Sequence, residues 1–168
     1  MSSATLHVAP PDLRSAFRRA ASSTWVVTGA RSPGLDPVGF TAISVVSVSL
    51  EPPLVSFNVG RSSSSLATLR RTARAALHLL GEDQAAVATR FAADRRRRFV
   101  EDGTWGWAGG LPDVHGAVLR LTTTLVDLVE AGDSLLALAR VERATTHDGP
   151  APLVHHQGSF GPLQLIGA

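Results

Sequence analysis

The chain has 168 residues, 44% of them hydrophobic and 18% charged, which is the size and make-up of one ordinary globular domain. It has no Lys, Tyr or Cys, which excludes disulfides, thiolate or Schiff-base catalysis, a phenolic acid or base, and cysteine-held zinc. Its 16 basic residues are all arginine against 14 acids, and a net charge of only +2 argues against a nucleic-acid binder.

Residues 1–9 read as a loose tail before a single domain over residues 10–168. Asp12 is suited to cap a helix reaching Ser22, with Leu13, Ala16, Phe17, Ala20 and Ala21 as its apolar stripe. Thr24 to Ala30 is rich in β-branched residues and predicts a strand. A turn over Ser32 to Pro37 leads to Val38 to Leu50, a long strand expected to be interrupted or bent. Its second half alternates Val46, Val48 and Leu50 with Ser47 and Ser49, the pattern of a half-buried sheet.

Glu51-Pro52-Pro53 breaks that strand, and Leu54 to Val59 forms the next. A short helix is expected over 65–72, a strand over Ala75 to Leu80, and a helix over Glu82 to Ala93. Arg95 to Arg98 is a charge run, and residues 101–115 read as a loop rich in Gly and Trp. Strands follow at Val118 to Val129, Leu135 to Ala144 and Leu163 to Ile166, the first two joined as a hairpin near Ala131-Gly132-Asp133. Strands outnumber helices and short turns join them. The expected fold is therefore mostly β with peripheral helices, an antiparallel barrel rather than a doubly wound α/β sheet.

The first twenty residues carry Pro10, Pro11, Asp12 and three arginines, with no apolar core of a signal peptide. No stretch approaches the roughly 20 apolar residues of a membrane span. A soluble, cytoplasmic protein with no membrane partner is expected.

The sharpest local signal is Asn58-Val59-Gly60-Arg61-Ser62-Ser63-Ser64-Ser65-Leu66. A strand ends, an arginine and four hydroxyls follow, and a helix begins. Such a turn offers hydroxyl and N–H donors together with a guanidinium fork, which suits a phosphate; it also suits a serine-rich cap in a solvent loop. There is no Rossmann glycine fingerprint, no phosphate-binding GxxxxGK[ST] loop and no GxSxG elbow. Adjacent His155 and His156 point to opposite faces of a strand, so no metal site is expected there.

Taken in order, several segments together resemble the short-chain flavin reductase family, the reductase partners of two-component flavin monooxygenases. They begin with Gly39-Phe40-Thr41-Ala42-Ile43-Ser44, the run from Ser47 to Phe57, and Arg61-Ser62-Ser63-Ser64. Ala75 to Leu80 with Glu82-Asp83-Gln84, Arg90-Phe91-Ala92, Arg98-Phe99 and His115-Gly116-Ala117 continue the match. Gly132-Asp133 and Pro152-Leu153 with His156, Gly158 and Phe160 complete it, over about residues 13–165. The specificity lies in the preserved order and spacing rather than in any one motif.

The resemblance implies an FMN-binding split β-barrel, a homodimer, that reduces FMN or FAD with NADH or NADPH and supplies reduced flavin to a monooxygenase. It implies that Thr41, Ala42, Ile43 and Ser44 line the isoalloxazine edge, with Ser47, Val48 and Ser49 close by. It assigns the phosphate to Arg61, Ser62, Ser63 and Ser64. Asn58, Gly60, Phe91, Arg98, Phe99 and Phe160 complete the cofactor-binding set, and His156 and Ser134 take the catalytic, nicotinamide-side positions. On chemistry alone, the Thr41 and Ser44 hydroxyls suit the polar edge of the ring, and equally suit strand residues facing water.

The sequence departs from the family on the nicotinamide side. The usual Gly-Asp-His reads Gly132-Asp133-Ser134, and a hydroxyl replaces neither an imidazolium charge nor its ring. The usual Asn of the inner strand is His78, and the usual terminal Tyr is Phe160. His156, Arg98 or His78 are the candidates to supply the missing charge. The alternative is a flavin-binding barrel with a degraded nicotinamide site, repurposed for another step on a small molecule. Arg95–Arg98 reads as a solvated helix end or as an electrostatic guide for a phosphate-bearing cofactor. Trp25, Trp105 and Trp107 read as core or dimer packing.

Overall fold

The structure, a computed structural model, describes residues 12–163. The elements run α1 (Leu13–Phe17), β1 (Ser22–Ser23), β2 (Trp25–Ser32), β3 (Leu35–Ala42), β4 (Val46–Leu50) and β5 (Pro53–Gly60). Then come α2 (Leu66–Thr72), β6 (Arg74–Leu79), α3 (Ala85–Ala92), β7 (Trp105–Ala108) and β8 (Leu111–Val114). The long strands β9 (Leu119–Ala131) and β10 (Ser134–Thr146) precede β11 (Leu153–His156) and β12 (Ser159–Pro162). Single turns of 3-10 helix sit at Glu82–Gln84 and Arg95–Arg97.

Seven strands form one antiparallel sheet in the order β3-β2-β6-β9-β10-β5-β4. Its two edge strands, β3 and β4, are consecutive in the chain. The sheet therefore curls until its edges approach at residues 43–45, where the Asn58 backbone N–H donates to Ser44 Oγ at 2.9 Å. This is the expected antiparallel barrel, split at one seam.

Alternation along the strands fills the interior. Val27 of β2, Phe57 of β5, Leu77 of β6 and Leu135 of β10 are all fully buried in one cluster, and Leu66 and Leu69 of α2 pack into it. Each such burial stabilises the fold by about 1.5–3 kcal/mol. A second cluster lies on the outer face, where Phe91 of α3 packs with Val26, Leu80 and Leu153.

Several expectations are corrected. The α1 helix stops at Phe17, because the segment from Ser22 is drawn into pairing with Val154 and His155. The long strand over 38–50 is interrupted, as expected, and divides into β3 and β4. The expected loop over 101–115 contains the β7–β8 hairpin, whose four-residue strands are punctuated by Gly106 and Pro112 and so hide their periodicity. A further hairpin, β11–β12, occupies residues 153–162, and Leu163 lies outside any strand. The predicted tail over 1–9 and the rest of the predicted strand over 163–166 lie outside the described residues. The β9–β10 hairpin is as expected, with Gly132 at φ 65° in its two-residue turn.

Candidate functional site

Where β3 and β5 meet the serine turn, the surface opens into a cleft of about 740 Å³, within the size range of small-molecule and cofactor sites. The β3 strand and its exit supply Thr41, Ala42, Ile43 and Ser44. On β5, Phe57 and Val59 enter the core, so period-two alternation turns Asn58 and Gly60 to the cleft. The turn adds Ser62, Ser63 and Ser64, while Ser65 is buried under the start of α2. Ser134 faces the cleft from β10, where it is paired with Gly60, and Arg98 closes another wall. No acidic side chain lines this cleft.

Thr41 and Ser44 are already engaged. The Thr41 hydroxyl donates to the Ala88 carbonyl of α3 at 2.6 Å, so only its lone pairs face a ligand. Ser44 accepts the Asn58 N–H and keeps its own proton to donate. The Ser134 hydroxyl donates to Asp133 Oδ1 at 3.1 Å.

Arg98 is held by backbone. Its Nη1 donates to the Gly39 carbonyl at 2.7 Å, while Nε and Nη2 share the Ala93 carbonyl at 3.3 and 2.8 Å. Partial burial lowers its pKa from the usual arginine value. Gly39 is required for this arrangement. An added Cβ would meet the Val27 carbonyl at 2.9 Å and the Phe91 ring at 3.1 Å.

Other expected contacts are redirected. The Arg61 guanidinium turns away from the cleft: Nε donates to the Gly132 carbonyl at 2.6 Å and Nη2 pairs with Glu130 at 2.9 Å. Glu130, first by hydrogen bond and then by charge, raises the Arg61 pKa, and Arg61 lowers that of Glu130. The Arg61 N–H also donates to Asp133 O at 3.0 Å, so this residue clasps the β9–β10 hairpin to the serine turn. An exposed pair of this kind contributes little to stability. Because the guanidinium faces Glu130 and not the cleft, Arg61→Ala is expected to leave FMN affinity within about threefold of wild type by fluorescence titration.

Phe91 is fully buried and Phe99 and Phe160 are half-buried in the second cluster, behind the cleft wall rather than on it. Phe91, Phe99 and Trp105 stack edge to face, at 5.1 and 4.9 Å between centroids. Ser47, Val48 and Ser49 lie on β4, outside the cleft lining. His156 is exposed on β11, which belongs to the separate β1-β11-β12 sheet and does not bring the ring to the cleft. His78 supplies no charge there either. It is fully buried, its Nδ1 lies 3.2 Å from the Val26 carbonyl, and burial lowers its pKa below the usual histidine value. The sequence reading assigned no cleft contact to Phe40 or Arg95, both of which line it. Phe40 stands inside the quoted Gly39–Ser44 motif, and Arg95 opens the arginine run.

An acid-free, hydroxyl-rich cleft at the seam of a split antiparallel barrel suits an anionic ligand. The flavin reductase like domain matches residues 17–164, and the chain belongs to that family. It is 39% identical over 154 residues to the NADH:FMN oxidoreductase of Rhodococcus erythropolis, covering 89% of this chain and 79% of that one. The NADH:FAD oxidoreductase of Streptomyces globisporus, solved in complex with NAD and FAD fragments, superposes with a TM-score of 0.83. That pair shares 30% identity over 90% of this chain and 91% of the other. The styrene monooxygenase flavin reductase of Pseudomonas putida gives 0.77 at 28% identity, over 92% of this chain and all of the other.

Proposed function

We propose that this protein is an NADH-dependent flavin reductase that delivers reduced flavin to a partner monooxygenase. The observation that carries this reading is the cleft itself: eleven of its thirteen lining residues are ones the family resemblance assigned to flavin or nicotinamide. Relatives that span nearly the whole chain are NADH:FMN and NADH:FAD oxidoreductases, which favours reduction over the repurposed-barrel alternative.

The residues present fit a flavin. The cleft volume suits it, no carboxylate opposes its phosphate, and a Cβ at Gly60 would enter open space that the ligand needs. A flavin bound there supplies the two-electron acceptor for NADH. Ser62, Ser63 and Ser64 offer donors for its phosphate, and an ionic partner strengthens each hydrogen bond. Thr41 accepts from, and Ser44 donates to, the polar ring edge, a division set by the bonds each already makes. Ser134, smaller than the family's imidazole, would leave room for the nicotinamide and adds no charge.

Anaerobic mixing of protein, FMN and NADH tests the reading. Bleaching of the visible flavin band is expected; tight flavin binding with no bleaching by NADH or NADPH overturns it.

The proposed assembly is a homodimer through the β4 edge. Val46, Val48 and Leu50 are exposed there, Leu50 at 89%, on an edge strand adjoining the cleft. An exposed apolar edge is the surface a second copy covers. Leu50→Asp is expected to shift sedimentation from dimer to monomer; a wild-type protein that sediments as a monomer defeats the assignment.

A further inference from the structure

A second, basic cavity lies on the outer face of the main sheet, beside the turn of the β7–β8 hairpin. Its volume is about 410 Å³, and it shares no lining residue with the cleft described above. Strand β10 runs between the two: Ser134 at its start lines the cleft, while Glu142 and Arg143 line the cavity. From Ser134 to Glu142 the extended strand covers roughly 25 Å.

Thr122 of β9 stands at the centre. Leu121 and Thr123 are buried on the inner side, so Thr122 and Arg120, two residues before it, face outward. Arg143 of β10 lies directly opposite Thr122. On β6 the partner of Thr122 is Ala76, which places Arg74 on the diagonal. Directly opposed side chains are about 5 Å apart and diagonal ones about 7–8 Å, within reach of a guanidinium. A β-bulge supplies the last member. Val141 pairs with Thr123 and Arg143 with Thr122, so Glu142 is the extra residue, and the bulge delivers both Glu142 and Arg143 to the cavity.

The charges here are poised rather than spent. Arg120 is fixed: its Nε meets Asp113 at 2.7 Å, and Nη1 and Nη2 donate to Thr122 Oγ1 and the Ala108 carbonyl, each at 3.1 Å. Two of its five N–H donors remain. Thr122 accepts in that bond and keeps its own proton to donate. Arg74 places one N–H on the Gly109 carbonyl at 3.4 Å. Among the described residues neither Arg74 nor Arg143 belongs to an ion pair, although Glu142 lines the same cavity. Glu142 instead accepts from the Thr124 hydroxyl, which holds it apart from the arginines.

We propose that this cavity binds a small phosphomonoester with a hydroxylated carbon skeleton, at a site independent of the flavin cleft and of its reading. Planar guanidinium forks suit phosphate oxygens. Arg120 is the rigid element and Thr122 adds a hydroxyl donor. Arg74 and Arg143 supply the unpaired positive charge. Glu142 cannot favour the phosphate; it accepts from a hydroxyl of the ester, and so prefers a phosphorylated sugar or polyol to free phosphate.

The test is calorimetric titration of glucose 6-phosphate and of inorganic phosphate into wild-type protein, Arg143→Gln and Glu142→Gln, each with and without saturating FMN. Arg143 is exposed, and a melting curve of each variant checks the fold. Glucose 6-phosphate is expected to bind the wild type more tightly than phosphate does, and about tenfold or more weakly in Arg143→Gln. Glu142→Gln is expected to tighten phosphate and narrow the gap between the two probes. FMN displaces phosphate held at Ser62–Ser64 and leaves this cavity untouched, so glucose 6-phosphate affinity is expected to stay within about twofold when flavin is added. Equal affinity for the two probes overturns the assignment to an ester. Failure of both to bind by about 10 mM, binding unchanged in Arg143→Gln, or binding abolished by FMN overturns the site.

Discussion

Gly60→Val is expected to weaken flavin binding strongly while leaving the thermal transition nearly unmoved. Gly60 ends β5 with its Cβ direction toward the cleft, and nothing lies within 4 Å of the position a Cβ would take. Its φ is not positive, so a β-branched residue is tolerated in the strand. The new Cβ meets no protein atom; the side chain extends into the ligand's volume, between Asn58 and the serine turn and opposite Ser134. Overfilling a packed contact costs about 1–3 kcal/mol, so the FMN Kd is expected to rise by about 5-fold to about 150-fold. Fluorescence titration beside a melting curve separates the two effects. An unchanged Kd places the flavin elsewhere, and a collapsed melting curve shows that Gly60 serves the fold.

What the sequence revealed, and what it concealed, follows the range of the interactions. Thr41–Ser44 and Ser62–Ser64 are contiguous runs whose local pattern already marks a strand exit and a turn, and they reach the cleft together because the barrel seam joins them. The fate of Arg61 was not legible, since its partner Glu130 lies on the far side of a hairpin, 69 positions away. The same holds for Phe91. Its place in a motif does not reveal whether a ring lines a cleft or supports its wall, and the contact with Gly39 and Phe99 decides for support. The β7–β8 hairpin escaped because short strands rich in Gly and Pro carry too little alternation to register. His156 aligned with a family position, but β11 lies in a sheet that does not include the cleft strands. Arg95 was visible only as part of a charge run, and no local pattern distinguishes the arginine that faces the cleft from its exposed neighbours.

Asp113→Ala is expected to destabilise the fold by about 1–3 kcal/mol, the usual cost of leaving a part-buried charged donor without its partner. Asp113 of β8 meets Arg120 Nε at 2.7 Å and His78 Nε2 at 3.4 Å, and Arg120 also donates to Thr122 Oγ1 and to the Ala108 carbonyl of β7. Without the carboxylate, Arg120 is left as a largely buried, uncompensated cation. The β8 strand then loses its carboxylate link to His78 of β6 and Arg120 of β9. The damage reaches the site through the stack of Trp105 on Phe99 on Phe91, which backs Gly39 and the carbonyl that holds Arg98.

The same group makes stability depend on pH. Burial, only partly offset by Asp113, holds the His78 pKa below 6.5, so the unfolded chain binds a proton that the folded one refuses. Stability is therefore complete above pH 6.5 and falls as the pH drops below it, by up to about 1.4 kcal/mol per unit. Asp113, held down chiefly by His78 beside it, adds a further loss only below its ordinary value of 3.8. Denaturant unfolding between pH 7.5 and 5 measures the first slope, with pH as about the only variable. His78→Asn is expected to flatten that slope while Asp113→Ala lowers the whole curve; a slope that survives His78→Asn assigns the titration to another histidine.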